Sequence, residues 1–156
     1  MRKLICCDIC NSIADINAEL EKIFGKRKEG VYCFDGATPE WFQEHLDIFE
    51  KASPIPGSAA ALRMASRIFK IVYVTKRPVE SHDITVRWLE SNGFPEGEIL
   101  YARDKGRAVK ALNPAFAIED SPEDILSYMR EDIPVLAVST DYNSSLNCCR
   151  VSWRAG

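Results

Sequence analysis

A short apolar run that stops at an aspartate constrains the fold of this chain more than any other feature. Residues 3–7, KLICC, are long enough for one buried strand and too short for a helix. Asp8 ends the run, Asn11 and Ser12 supply turn chemistry, and apolar residues then recur at helical spacing over residues 13–24. Open α/β sheets place their chemistry where a buried strand ends and a turn leads into a helix. Exposed backbone N–H groups in such a turn can hold an anion such as phosphate.

Strand-like runs alternate with helical segments along the rest of the chain. We predict further strands over residues 70–74, 99–101, 115–118, 134–139 and 149–153. We predict helices over residues 13–24, 39–51, 58–68, 81–91 and 105–112, and another that starts at Ser121 and Pro122. This alternation indicates an α/β protein with a Rossmann-like, mostly parallel sheet and helices on both faces.

The gap between the first two predicted strands is the longest in the chain. It spans about 60 residues and contains at least two predicted helices, far more than the usual connection between neighbouring strands. We therefore expect a small helical cap, residues 13–57, inserted into a Rossmann-like core formed by residues 1–12 and 58–156.

Composition limits the partners that this chain can have. Its 156 residues are the size of one domain, and 46% of them are hydrophobic, enough for a core. The net charge of −3 gives no basic excess, which a nucleic-acid surface or an anionic membrane would require. The apolar runs are too short for a membrane helix, and the first of them does not match a signal peptide. We expect a cytoplasmic protein that binds neither nucleic acid nor membranes.

Six cysteines raise the question of a redox or metal site. They stand at positions 6, 7, 10, 33, 148 and 149. Adjacent cysteines on a strand point to opposite faces of the sheet. Neither adjacent pair, 6 and 7 or 148 and 149, can therefore bind one metal ion through both sulfurs without distortion. Cys7 and Cys10 have redox spacing, but Cys7 ends a strand, whereas a redox pair usually opens a helix. We favour structural thiols in a reducing cytosol and keep a thiol redox protein as a remote alternative.

Polar side chains that could do chemistry fall at the ends of four predicted strands. They are Asp8 after the first strand, Thr75 after the second, Lys105 after the third, and Glu119 with Asp120 after the fourth. Because the carboxyl ends of parallel strands meet at one edge of a sheet, we expect these side chains to share one crevice. A carboxylate nucleophile, a hydroxyl, an ammonium and further carboxylates suit phosphoryl transfer with Mg²⁺, which prefers hard oxygen ligands.

The same residues resemble the motifs of a known family. Residues 8–15, DICNSIAD, are similar to the motif D-x-D-G-V-L-A-D of the 5′(3′)-deoxyribonucleotidase branch of the haloacid dehalogenase superfamily. Residues 74–78 (VTKRP), 104–106 (DKG) and 118–123 (IEDSPE) resemble the second, third and fourth motifs in order. Residues 54–59 (PIPGSA) resemble the segment where the cap of these nucleotidases rejoins the core.

The resemblance implies a role for each matching residue. Asp8 would attack phosphorus and form an aspartyl-phosphate, and Lys105 would hold nucleophile and phosphate together. Phosphate oxygens would be held by Thr75, the backbone of Lys76, Lys105 and Asn11. Mg²⁺ would be bound by Asp8, the backbone carbonyl of Cys10, Asp120 and Glu119. The implied activity is hydrolysis of small phosphorylated metabolites, with nucleoside monophosphates as the favoured substrates.

Cys10 departs from the family pattern at a position that matters for chemistry. In the family, the aspartate at this position protonates the leaving oxygen and then activates water, and such acid–base assistance is typically worth ~10²–10⁴-fold. A thiol, with an ordinary pKa of about 8.5, is a poor substitute. The enzyme is then slow, or Asp15 or Glu119 substitutes, or the protein binds phosphate esters without hydrolysing them.

Several of these residues have structural alternatives. Lys105 could be an exposed lysine at a helix start, with Lys110 or Arg103 as the phosphate partner. Glu119 and Asp120 could cap the following helix. Trp41 and Phe42 could stack on a nucleobase in the cap, although a stripe at helical spacing is more typical of a core.

Overall fold

The computed structural model describes residues 2–153, and its centre is a six-stranded sheet in which every neighbouring pair is parallel. The strands are β1 (Leu4–Cys7), β2 (Lys70–Thr75), β3 (Glu98–Tyr101), β4 (Phe116–Glu119), β5 (Val135–Val138) and β6 (Cys149–Val151). Their order across the sheet is β3-β2-β1-β4-β5-β6. The predicted Rossmann-like architecture is confirmed, and the sheet is fully rather than mostly parallel.

Within the described residues 2–153, seven α-helices connect the strands. They are α1 (Ile16–Phe24), α2 (Pro39–Glu44), α3 (Ile48–Lys51), α4 (Ser58–Ala65), α5 (His82–Ser91), α6 (Lys105–Val109) and α7 (Pro122–Arg130). Short 3₁₀ turns, Val79–Ser81 and Lys110–Leu112, precede α5 and follow α6. Within residues 2–153, no helix combines the length and the apolar character needed to cross a membrane.

The two faces of the sheet have separate hydrophobic cores. Ile5, Cys7 and Tyr73 point into one core, which also contains residues of α1, α3, α4 and α5. Cys6 and Val72 point into the other core, together with residues of α6 and α7. Alternation along β1 therefore sends Cys6 and Cys7 to opposite faces, as predicted. Both faces are covered by helices, which explains why β1 and β2 are nearly continuous apolar runs.

The predicted helices 58–68 and 105–112 end earlier than expected, at Ala65 and Val109, and two others differ more. The segment 39–51 is split into α2 and α3, because the chain leaves helical geometry at His45, where φ is −132° and ψ is 49°. The ring Nδ1 of His45 pairs with the carbonyl of Trp41 at 2.7 Å and holds this break. Helix α1 begins at Ile16 rather than at residue 13, because the preceding residues form the turn described below, and Asp15 caps the helix by accepting from the Ala18 amide.

The segment between β1 and β2 leaves and re-enters the sheet region at adjacent places. The Asp15 amide donates to the Ser53 carbonyl at 2.8 Å, and the Ile55 amide donates to the Ile13 carbonyl at 2.7 Å. The helices α1, α2 and α3 lie within the loop that these bonds close. This geometry is what an inserted cap requires, and the boundaries 13–57 remain a prediction.

Candidate active site

The candidate site lies at the point where the strand order reverses. Strand β1 pairs with β2 on one side and with β4 on the other, so a crevice opens beyond their carboxyl ends. Asp8 follows β1 directly, and its amide donates to the Ile118 carbonyl of β4 at 3.0 Å. Glu119 is the last residue of β4 and Asp120 follows it. The topology alone therefore brings residues more than 100 positions apart to the same edge.

A tight turn follows Asp8 and shapes one wall of the site. The amides of Ile13 and Ala14 both donate to the Ile9 carbonyl at 3.0 Å. Asn11 has a left-handed backbone with φ of 63°, which asparagine tolerates better than most residues. Its amide donates to the Ala14 carbonyl and its Oδ1 accepts from the Asn17 amide, so only its side-chain NH₂ is available to a phosphate.

Lys105 joins the strand ends electrostatically. Its Nζ lies 2.7 Å from Asp8 Oδ1 and 2.9 Å from Glu119 Oε2, and its side chain is 1% exposed. A lysine is buried in this way only when carboxylates pair with it. Lys110, the alternative considered from the sequence, instead pairs with Glu131 at the surface. The structure thus places Lys105, rather than Lys110, beside Asp8.

Ser12 and Tyr142 contact the same carboxylates, although neither is among the predicted site residues. Ser12 Oγ lies 2.8 Å from Asp8 Oδ2 and 3.0 Å from Asp120 Oδ1. The Tyr142 hydroxyl donates to Asp120 Oδ2, and Asn143 Nδ2 donates to the Asp120 carbonyl. Tyr142 and Asn143 follow β5. They therefore share the feature from which the other site residues were predicted, a position after the end of a strand.

Burial and crowding set the pKa values in this cluster. Burial alone would raise the pKa of Asp8, but the Lys105 ammonium and hydrogen bonds bring it below its ordinary value. Burial and then the nearby Asp8 charge raise the pKa values of Glu119 and Asp120 well above the usual range. Burial would lower the pKa of Lys105, but Asp8 and Glu119 together raise it. The cluster therefore contains more carboxylates than its one ammonium neutralises.

The same cluster fits a divalent cation. Asp8, Glu119 and Asp120 each offer a carboxylate oxygen, and these oxygens lie within 4.8 Å of one another. Hard anionic oxygens in a small cluster are the donors that Mg²⁺ prefers. A cation at this place would also neutralise the surplus negative charge.

The end of β2 contributes Thr75, and the segment after it contributes Lys76 and Arg77. Thr75 is buried, and its Oγ1 accepts from the Arg77 amide at 3.1 Å. Lys76 Nζ pairs with Asp124 Oδ1 at 2.7 Å, so its charge is held beside α7. Thr75, Lys76 and Arg77 all line the cavity described below.

Cys10 contacts a guanidinium rather than a second carboxylate. Arg77 Nε donates to Cys10 Sγ at 3.2 Å. Burial raises the pKa of the Cys10 thiol, with a smaller opposing effect from Arg77. Cys7 is fully buried, its Sγ donates to the Asp8 carbonyl, and burial raises its pKa well above the ordinary value. All six cysteines are free, and protonated thiols are poor nucleophiles for disulfide exchange.

A cavity of about 580 Å³ opens above these residues. Asp8, Cys10, Asn11, Thr75 and Lys105 line its base. Its other lining residues include Tyr32, Phe34, Phe42 and Phe49 from the segment between β1 and β2. Glu119 and Asp120 are completely buried and are not among the lining residues.

The two aromatic residues predicted to contact substrate have different positions. Phe42 lines the cavity, but Trp41 is not among the lining residues. The Trp41 ring stacks on His45 with a centroid distance of 4.2 Å and packs edge-on against Phe24 at 5.1 Å. The Trp41 ring therefore contributes to packing and Phe42 reaches the cavity, and a substrate contact by either residue remains a prediction.

Comparisons with known proteins agree with this architecture. No family model matches the chain. A Bacillus cereus protein named "Putative nucleotidase" is 26% identical over 161 residues, which cover 98% of this chain and 81% of that protein. A haloacid dehalogenase-like hydrolase from Streptococcus pneumoniae superimposes with a TM-score of 0.67 at 13% identity, covering 97% of this chain and 95% of that one.

A chain of the Pnkp1/Rnl/Hen1 RNA repair complex superimposes with a TM-score of 0.61 at 16% identity. That match covers 88% of this chain and 42% of the other, so this chain spans less than half of its length. At such identities, solved structures establish the fold alone. The six-stranded parallel sheet of this chain is therefore a haloacid dehalogenase-like fold, in agreement with the resemblance of its sequence motifs.

Proposed function

We propose that this protein is a Mg²⁺-dependent phosphomonoester hydrolase that uses Asp8 as its nucleophile. The observation that carries the proposal is the contact of one buried ammonium, Lys105 Nζ, with both Asp8 and Glu119 at the base of a cavity. An anionic nucleophile and a phosphate repel each other unless cations lie between them, and this arrangement supplies one cation at the required place.

Asp8 is the natural attacking group because it lines the cavity and because its pKa lies below the ordinary value. One of its carboxylate oxygens would bond to phosphorus while the bond to the leaving oxygen breaks, and the leaving oxygen takes the electron pair. Water would then hydrolyse the aspartyl-phosphate and regenerate Asp8. Lys105 would neutralise the developing charge, and Thr75 Oγ1 and the Lys76 amide would hold phosphate oxygens.

Asp8, Glu119 and Asp120 would hold Mg²⁺, together with the backbone carbonyl of Cys10. When bound, the ion would supply a positive charge that offsets the negative charges of the phosphate and the carboxylates. The fit rests on the donor set: three carboxylates within 4.8 Å, with one ammonium against them.

Nucleoside monophosphates are the substrates that we favour. The cavity volume of about 580 Å³ lies within the range of small-molecule sites. Tyr32, Phe34 and Phe42 supply aromatic surface for a base, and the name of the Bacillus cereus relative points to nucleotides. The cytosol remains the predicted compartment.

A second candidate is a protein that binds phosphate esters without hydrolysing them, and the environment of Cys10 favours it. The raised pKa of its thiol leaves no ionised group at this position at neutral pH. Asp15 does not replace the missing acid, because it caps α1 and is not among the cavity residues. Glu119 is held by Lys105 and by the amides of Asp120 and Ser121. A thiol redox function is not proposed, since Cys7 is fully buried.

Phosphate release separates these candidates. Wild type, Asp8→Asn and Cys10→Asp are assayed on a panel of nucleotides and sugar phosphates, with Mg²⁺ and with a chelator. Cys33→Asp is the matched control, because Cys33 also lines the cavity and is exposed. An enzyme releases phosphate as wild type with Mg²⁺ and loses this activity in Asp8→Asn. Activity that appears only in Cys10→Asp identifies the binding protein, and activity that survives Asp8→Asn refutes the nucleophile.

A further inference from the structure

Arg77 is a buried cation without an anionic partner. Its side chain is almost fully enclosed, and the residue is 5% exposed. Among residues 2–153, its guanidinium forms no ion pair with a carboxylate. The other cations of the site differ in this respect, since Lys76 pairs with Asp124 and Lys105 with Asp8. Burial of an unpaired charge is unfavourable, so such a group calls for an explanation.

The contacts of Arg77 leave one edge of the guanidinium without an anionic partner, although its Nη2 is buried. Nη1 donates to Thr85 Oγ1 at 3.0 Å, and the guanidinium lies over the Phe49 ring at 4.4 Å. Nε and Nη2 form the opposite edge of the planar group, which can pair with a carboxylate or phosphate through two parallel hydrogen bonds. On this edge, Nε meets only the sulfur of Cys10, a weak acceptor, and Nη2 has no partner within the described chain.

Arg77 lines the cavity that contains the nucleophile, and Cys10, which covers the Nε side of its guanidinium, lines it too. Phe49 and Asp8 also line it. Cys10 is two residues from Asp8 and touches Arg77, so an anion that reaches Arg77 is close to a phosphoryl group at Asp8. Among the described residues, the Arg77 guanidinium contacts Cys10, Thr85 and Phe49, and forms no hydrogen bond with Lys105 or Thr75, which face the transferred phosphate in the proposed function. Only the backbone amide of Arg77 contacts Thr75.

We propose that Arg77 binds a second oxyanion, a carboxylate or a phosphate, carried by the leaving group of the phosphate ester that Asp8 attacks. This inference rests on the proposed function and moves its favoured substrates from nucleoside monophosphates to phosphate esters whose leaving group carries a second oxyanion. The oxyanion pairs with Nε and Nη2 and displaces the sulfur of Cys10, because an anionic oxygen is a stronger acceptor than a thiol. Simple monoesters lack this group. Nucleoside 3′,5′-bisphosphates and phosphorylated hydroxy acids carry it.

The test uses matched pairs of substrates. A nucleoside 5′-monophosphate is compared with its 3′,5′-bisphosphate, and glycerol phosphate is compared with phosphoglycerate. Wild type should prefer the second member of at least one pair by about 10-fold or more in kcat/KM, the range for a hydrogen bond to a charged group. A preference for the bisphosphate in the first pair identifies the second oxyanion as a phosphate. A preference for phosphoglycerate in the second pair identifies it as a carboxylate.

Variants then assign the preference to Arg77. Arg77→Met removes the charge at similar length and should abolish the preference, while activity on the simple member of the pair changes much less. Arg77→Lys keeps the charge but loses the two-bond edge, and should retain only part of the preference. Arg103→Met is the control, because Arg103 also lines the cavity but is exposed, and its preference should match wild type.

Two results overturn the inference. One is a wild type with equal kcat/KM for both members of each substrate pair. This result can be obtained even if every Arg77 variant fails to fold. The other is a folded Arg77→Met that keeps the substrate preference of wild type. Arg77 would then serve only to pack against Phe49.

A binding measurement keeps the inference separate from the proposed function. If wild type releases no phosphate from any ester, the proposed function fails, and the same compounds are tested as ligands by their effect on Tm. The second member of a pair should then raise the Tm of wild type more than the first, and Arg77→Met should lose this difference. Equal shifts for both members in wild type refute the oxyanion site.

Discussion

Arg27 and Asp141 form an ion pair between the segment that follows α1 and the loop that follows β5. Arg27 Nη2 lies 2.6 Å from Asp141 Oδ1, and Nη1 lies 3.3 Å from Oδ2. The Gly30 amide also donates to Asp141 Oδ2 at 2.7 Å. Asp141 precedes Tyr142, whose hydroxyl donates to Asp120, and the Arg27 guanidinium lies over the Tyr142 ring. One carboxylate thus ties the proposed cap to the loop that supports the acidic cluster.

Asp141→Asn should loosen this connection. The variant loses the charge that Arg27 and the Gly30 amide contact, so amides in residues 27–32 should exchange hydrogen faster. Because Asp141 is partly exposed, the loss in unfolding free energy should be no more than about 1 kcal/mol. Hydrogen exchange measured by mass spectrometry follows the segment directly. Asp47→Asn, which breaks the exposed pair with Lys51, should leave residues 27–32 unchanged.

The same contact should depend on pH. Hydrogen bonds from Arg27 and from the Gly30 amide lower the pKa of Asp141 below its ordinary value. A carboxylate with a lowered folded pKa adds stability that is complete above the unfolded value of about 3.9 and disappears as pH falls through the folded value. The difference in unfolding free energy between wild type and Asp141→Asn should therefore be constant near neutrality and shrink below about pH 4. A difference that grows on acidification contradicts this assignment.

Gly57 should be required for a different reason from other left-handed glycines. Its φ is 88°, and a Cβ added there would lie 2.3 Å from the Trp153 carbonyl oxygen. Gly30 also has a positive φ, 75°, but no atom lies within 4 Å of its added Cβ. Gly30→Ala therefore measures the backbone cost alone, about 1–2 kcal/mol. Gly57→Ala should cost a further ~1–3 kcal/mol from the clash, measured by chemical denaturation. Equal losses in the two variants would show that Trp153 moves aside.

The positions of the acidic cluster were predictable because they follow from topology. Asp8 and Glu119 lie at strand ends, and a parallel sheet brings such ends to one edge whatever the loops do. The contacts made by Ser12 with Asp8 and Asp120 were not predictable, because they depend on the path of a turn and on a side-chain rotamer. The break between α2 and α3 at His45 could not be predicted for a similar reason. Apolar residues keep their helical spacing across His45, but the backbone leaves helical geometry there.

The lack of an anionic partner for Arg77 could not be predicted from the sequence either. Arg77 next to Pro78 matched a motif, but nothing local indicates that its guanidinium would be buried over Phe49, 28 positions earlier in the chain. Whether a cation is paired depends on which carboxylates the fold brings near it. That information exists only once α3 and the β2 segment are packed together.

Mg²⁺ should stabilise the folded chain through the carboxylates at the sheet edge. Asp8, Glu119 and Asp120 crowd negative charge in a buried place, and a cation that binds only the folded state adds stability that grows with its concentration, about 2.7 kcal/mol at 100 times Kd. The Tm of wild type should therefore rise with Mg²⁺, as measured by differential scanning calorimetry. Asp120→Asn removes one donor and part of the repulsion, so its Tm without Mg²⁺ need not fall, but its rise with Mg²⁺ should be much smaller.

Asp104→Asn is the matched control for this measurement. Asp104 also follows a strand, but its carboxylate accepts from Ser127 Oγ and the Arg107 amide, away from the three clustered carboxylates. The variant should lose some stability and keep the full Mg²⁺-dependent rise in Tm. Asp120→Asn with a rise equal to that of wild type would place the cation elsewhere. Because Tm needs no substrate and no turnover, this result holds whether Cys10 leaves the protein an enzyme or a binding protein.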